Sequence, residues 1–159
     1  ERHTNRLLNP ALSGGLPDFL VEGKGLNSGL MVSQYSAAAL VSENKILAHP
    51  AVVDSISVSA DQEDHVPMAM TSALKLVDII RNTQIVIAVE LMCAAQALDF
   101  KKPLKPGKGT RAAYDFIRQR LSFLKNDRPL HKDIRSIESI VVDGSLVDAV
   151  ESATGRIDI

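Results

Sequence analysis

The chain has 159 residues, 45% of them hydrophobic, enough to bury the core of one domain and short for two. Its 18 Lys and Arg against 19 Asp and Glu leave a formal charge of −1, which argues against the basic excess that general nucleic-acid or anionic-membrane binding needs. The one cysteine, Cys93, rules out an intrachain disulfide and a Cys-rich zinc site, and this usage fits a reduced, cytoplasmic compartment.

The chain opens on Glu1 rather than Met, so we expect a piece of a longer protein, processed or trimmed. Its charged start is no secretory signal. No segment reaches the roughly 18–20 uninterrupted apolar residues of a membrane span. Residues 85–95 come nearest, and Glu90 interrupts them.

Residues 1–29 read as irregular, punctuated by Pro10, Gly14, Gly15, Pro17, Gly23, Gly25 and Gly29. Their apolar members, Leu7, Leu8, Leu12, Leu16, Phe19 and Leu20, suggest an ordered segment draped over a larger body. From Leu26 to Leu47 the pattern turns helical, with apolar residues at three- and four-residue steps and Asn27 or Ser28 as cap. His49-Pro50 ends it, because the residue before proline is pushed out of the α region. Val52, Val53, Ile56 and Val58 are β-branched and predict a short extended piece.

Pro67 then opens the longest helical run, to about Leu98. Such a helix would be about 48 Å long at 1.5 Å per residue. A compact globule of this length has a radius of gyration of only about 15 Å. Residues 85–95 are apolar nearly all round, with Glu90 the exception. A helix without a polar face must be covered on all sides. We therefore expect cover for residues 85–95 from outside the chain. A basic connector over residues 99–109 leads to helices over about 110–124, 131–141 and 145–153. The reading is all-α: long helices over residues 30–98, near-parallel in a bundle, then shorter ones over 110–159.

Gly107-Lys108-Gly109-Thr110 is a poor phosphate loop, because the glycine required five residues earlier is Lys102. Asp61, Glu63, Asp64 and His65 lack metal-ligand spacing, and no metal is expected. Taken alone, the cluster reads as a solvated loop in which Asp61 or Asp64 caps the next helix. The competing reading makes Glu63 a functional carboxylate in a buried loop, able to act as a base or grip a cation. Cys93, within the apolar run, reads as an inert core thiol. His3 and His131 read as exposed.

Several segments resemble, in order, the carboxy-terminal third of the histidine ammonia-lyases, within the aromatic amino acid ammonia-lyases. They are Arg6-Leu7-Leu8-Asn9-Pro10, then Gly25-Leu26-Asn27-Ser28-Gly29-Leu30-Met31, Ala37-Ala38-Ala39-Leu40-Val41-Ser42-Glu43-Asn44-Lys45, His49-Pro50 and Asp54-Ser55. The sharpest is Ser59-Ala60-Asp61-Gln62-Glu63-Asp64-His65-Val66. The resemblance implies an all-α subunit whose long helices join those of other subunits in a homotetramer. It implies loss of ammonia from L-histidine to give urocanate. It also implies a 4-methylidene-imidazol-5-one (MIO) prosthetic group, formed from an Ala-Ser-Gly triplet in the amino-terminal part of such proteins. No Ala-Ser-Gly occurs in these residues, so the chain alone is expected to be inactive.

By the same resemblance Glu63 is the active-site glutamate, and Gln62 lines the substrate pocket beside it. Asp61 stands where relatives usually carry Asn; an ionised Asp accepts hydrogen bonds but cannot donate them. The Gln62-Glu63-Asp64-His65 run favours histidine over phenylalanine or tyrosine as substrate. The alternative is a non-catalytic helical assembly module, which the apolar helix would suit equally well.

Overall fold

A computed structural model describes residues 1–23, 25–53 and 55–157; Asp54 lies outside them. The described residues are all-α, as the periodicity predicts. Six helices follow in order: α1 (Arg2–Leu8), α2 (Met31–Leu47), α3 (Ala69–Phe100), α4 (Lys108–Arg118), α5 (His131–Val142) and α6 (Ser145–Thr154), with a 3₁₀ turn at Asp18–Leu20.

The 32 residues of α3 form the spine, against which α1, α2, α4 and α5 pack. Its buried side chains all lie in its second half, from Val86 to Ala97. Ala88 and Ala95 leave room for neighbouring backbones, while Val89, Met92 and Cys93 pack into one core with Leu8, Leu20, Ile137 and Ile140. Each large apolar side chain buried in this way contributes about 1.5–3 kcal/mol.

This corrects the expectation about outside cover. The chain itself covers most of residues 85–95, leaving Ile87 as the exposed large apolar residue among them. Glu90, the polar interruption, accepts a 2.8 Å contact from Nδ1 of the exposed His3. The open apolar surface lies earlier, where Met70, Leu74, Val77 and Ile80 recur at helical spacing and are 73%, 62%, 45% and 47% exposed.

Other boundaries differ for identifiable reasons. Residues 1–29 are not wholly irregular: α1 forms ahead of Pro10 and buries Thr4 and Leu8. The second helix starts at Met31, not Leu26, because Gly29 sits at φ +56° and a Cβ there would lie 2.5 Å from the Phe19 carbonyl oxygen. That contact allows Leu30 N–H to donate to the same oxygen at 3.0 Å, tying the start of α2 to the 3₁₀ turn. Of the extended piece predicted from Val52, Val53, Ile56 and Val58, the described residues show one antiparallel bridge, between Val58 and Glu63. The third helix begins at Ala69, after Met68 in the left-handed region, and no side chain caps it, so neither Asp61 nor Asp64 does. The fourth stops at Arg118 rather than Leu124. Leu121 and Leu124 remain buried in the core beyond its end.

Polar side chains link these elements. Gln96, 2% exposed, donates from Nε2 to the carbonyls of Leu20 and Leu124, both at 3.0 Å. Its Oε1 accepts from Leu124 N–H at 3.1 Å and Arg118 Nη2 at 3.2 Å. Arg118 also pairs with Asp99 at 2.6 Å. Burial alone would raise the Asp99 pKa, but hydrogen bonds from Lys102 and Tyr114 and the Arg118 charge outweigh it and hold the carboxyl below its usual range.

Neither Asn27 nor Ser28 caps α2, which has Leu30 at its N-cap and no side-chain cap; Asp127 instead holds the turn that precedes the helix. Its carboxylate accepts from Ser28 N–H at 2.7 Å and Gly29 N–H at 2.8 Å, across about a hundred residues of chain. Those backbone bonds hold its pKa below the ordinary 3.8. A depressed carboxyl stabilises the fold above its unfolded pKa, and the contribution is lost as pH falls through the folded value. Asp127→Asn is therefore expected to lower the melting midpoint at about pH 6, with the gap to wild type closing as pH falls below about 3.8. Melts across that range, followed by circular dichroism, would check it; a gap independent of pH would contradict the charge-based account.

Candidate functional site

Residues 55–66 leave the helical body as a hairpin-like loop between α2 and α3. Val58 N–H donates to the Glu63 carbonyl at 2.9 Å, and Glu63 N–H returns a longer bond of 3.4 Å. Gln62 N–H donates to the Ser59 carbonyl at 3.2 Å, closing the tip. Ser59, Ala60 and Asp61 have φ of +55°, +53° and +63°. Positive φ at both central residues of a four-residue turn is the pattern of type I′. Asp tolerates this region, whereas for Ala60 the clash of Cβ with backbone costs about 1–2 kcal/mol. Three non-glycine residues in succession at positive φ are a local strain of the kind that collects at functional sites.

This turn brings Asp61, Gln62 and Glu63 together at one tip. All three are exposed, so the buried-loop reading of Glu63 does not hold within these residues. The carboxylate stands ready for a ligand or for cover from another part of a protein. At the base, Ser55 Oγ donates to the Asp64 carbonyl at 2.9 Å and accepts from Val66 N–H at 2.8 Å. Behind the loop, Lys75 Nζ donates to the His49 carbonyl and joins α3 to the end of α2. Asn82 Nδ2 donates to Glu43 Oε2 at 2.9 Å and Asn44 Oδ1 at 3.0 Å, locking the same two helices about two turns further along α3.

Other candidates stay structural. Gly107 precedes α4 as its N-cap, and Lys108-Gly109-Thr110 is the first turn of that helix, following a turn rather than a strand. Gly109 is small where α4 meets α6: a Cβ there would lie 3.3 Å from Thr154 Cγ2. Cys93 is fully buried, and desolvation first, with the nearby Glu90 charge second, pushes its thiol up to about 12, so almost no thiolate forms near neutral pH. Among the described residues no three His, Cys, Asp or Glu side chains gather as metal ligands, and no helix is long and apolar enough to cross a membrane.

The aromatic amino acid lyase family matches residues 1–119. The chain belongs to that family. It is 54% identical over 158 residues to histidine ammonia-lyase of Gloeobacter violaceus, covering 99% of this chain and 31% of the relative. With histidine ammonia-lyase of Natranaerobius thermophilus the identity is 50% over 157 residues, with the same coverage of both chains. The chain thus spans about a third of the length of these relatives. Among solved structures, histidine ammonia-lyase from Trypanosoma cruzi superimposes with a TM-score of 0.90 at 41% identity, covering 96% of this chain and 30% of that one. Tyrosine aminomutase from Streptomyces globisporus gives 0.92 at 35% identity, covering 98% and 30%.

As a member of this family the chain implies the MIO group. These residues contain no Ala-Ser-Gly. The sequence signal for the loop is its run of acidic and amide residues. Ser55 carries no such signal, since a serine nine residues before its acceptor looks like any loop serine.

Proposed function

We propose that these residues serve a histidine ammonia-lyase, to which they contribute the Glu63 loop and the α3 spine. Identity to histidine ammonia-lyases over nearly the whole chain carries this reading. In the reaction L-histidine loses ammonia to give urocanate. The Cα–N bond and one Cβ–H bond break, a Cα=Cβ double bond forms, and no net oxidation occurs. Glu63 would hold the imidazole or relay a proton as ammonia leaves. Gln62 can both donate to and accept from the substrate, whereas ionised Asp61 can only accept.

The MIO group would be supplied from outside these 159 residues. The enzyme would be a cytoplasmic homotetramer, and the exposed Met70, Leu74, Val77 and Ile80 stripe of α3 is the surface that other subunits would cover. A tyrosine-specific reading has the likeness to tyrosine aminomutase in its favour. The higher identity to histidine ammonia-lyases, together with Gln62-Glu63, supports histidine instead.

Incubating the 159-residue chain alone with L-histidine is expected to yield no urocanate by ultraviolet absorbance. Turnover by the chain alone would overturn the external origin of the electrophile. In the complete enzyme, turnover of tyrosine in preference to histidine would overturn the substrate assignment.

A further inference from the structure

We infer that Ser55 is a positioning residue that sets the direction of the Glu63 carboxylate; this rests on the proposed role of Glu63. The loop has few other means of holding its shape. Residues 55–65 are all exposed in this chain, so no apolar packing from the described residues fixes them. Among the described residues, their order comes from backbone bonds at the tip and from the Ser55 side chain at the base. Its hydroxyl spans the two halves of the hairpin: it donates to the Asp64 carbonyl and accepts from Val66 N–H.

Those two contacts bracket His65, directly after Glu63 and Asp64. The other tie across the hairpin is the Val58–Glu63 bridge, with one good bond of 2.9 Å and one long bond of 3.4 Å. The turn beyond it is strained, with Ser59, Ala60 and Asp61 all at positive φ. A strained turn held by one bridge can relax by rotating about that bridge. A hydroxyl clamped to the returning strand removes this freedom, and Glu63 lies between the clamp and the strained turn. Misplacement of a catalytic group by about 1 Å can cost about 10²-fold in rate, so a clamp of two hydrogen bonds can matter to turnover without touching substrate.

The test uses the complete ammonia-lyase. Ser55→Ala is expected to lower kcat at least about tenfold with little change in KM or melting midpoint, and Ser55→Thr, which keeps the hydroxyl, to restore most of it. In a Glu63→Ala background, Ser55→Ala should cost nothing further, because the group it positions is gone. Hydrogen exchange at the Val66 amide should speed up in Ser55→Ala and stay slow in Ser55→Thr. Unchanged kcat for Ser55→Ala, an equal loss in the Glu63→Ala background, or unchanged exchange at Val66 would each overturn the inference. If Glu63→Ala itself turned over normally, the role of Glu63 would fall, and the positioning role with it. Normal turnover by Ser55→Ala beside a crippled Glu63→Ala would sink the positioning role alone.

Discussion

Replacing Gln96 with leucine is expected to destabilise the fold by about 3–5 kcal/mol, although the two side chains are similar in size. The amide makes four hydrogen bonds from a position 2% exposed. Leucine would leave the Leu20 and Leu124 carbonyls and the Leu124 N–H without their partner, out of reach of water. Each stranded buried group costs about 1–3 kcal/mol. Arg118 loses least, because Asp99 still pairs with it at 2.6 Å. The added apolar contact of leucine offsets part of the loss, which places the expectation near the lower end of the sum. Gln96→Glu should be no rescue, since an ionised carboxylate cannot donate to the two carbonyls. The chain has no Trp, so urea unfolding is best followed by far-ultraviolet circular dichroism. A loss below about 1 kcal/mol would mean that the segments around Leu20 and Leu124 hold their places without the amide.

Gln96 also shows where the sequence stops being informative. Its neighbours, Ala94, Ala95, Ala97 and Leu98, mark the helix clearly, but nothing local says that a glutamine in that run faces two distant carbonyls. Helices α3, α5 and α6 are legible because apolar spacing, Gly144 and the polar turns around them agree. Helix α1 is not, because seven residues carry barely two turns of pattern, and its order comes from Thr4 and Leu8 against the core. Leu121 and Leu124 keep helical spacing although α4 has ended; burial selects apolar residues whatever the backbone does.

The apolar helix gives the clearest lesson in cover. Hydropathy marks residues 85–95 as needing burial, and the glycine-rich start and α5 supply it, through Leu8, Leu20, Ile137 and Ile140. In the first half of α3, Ser72, Lys75, Asp78 and Arg81 interleave the apolar residues. Yet Met70, Leu74, Val77 and Ile80 stay open. Periodicity identifies an apolar face but not the element that covers it. The Glu63 loop is legible in a third way: chemistry alone leaves a capping loop and a functional carboxylate as competing readings, and the resemblance of the whole run favours the carboxylate. The geometry removes the capping role, since Met68 precedes α3 without any side-chain cap.

Glu63→Gln in the complete enzyme is expected to lower the rate of urocanate formation by about 10²-fold or more. Glutamine preserves the size and reach of the side chain, so the turn and the Val58 bridge, which use backbone atoms of residue 63, should persist. What is lost is the negative charge and the ability to take and return a proton. Within these residues the side chain is exposed, so the substitution strands no buried partner among them. The division between kcat and KM tells which role dominates. Proton relay would lower kcat with KM little changed, while a grip on the imidazole would raise KM first. A pH profile sharpens the distinction: loss of a limb of the kcat profile points to acid–base work, whereas a uniform drop points to electrostatic binding. An unchanged rate in both measures would return Glu63 to the status of a loop residue and leave the hairpin's left-handed turn, at Ser59, Ala60 and Asp61, without a catalytic purpose.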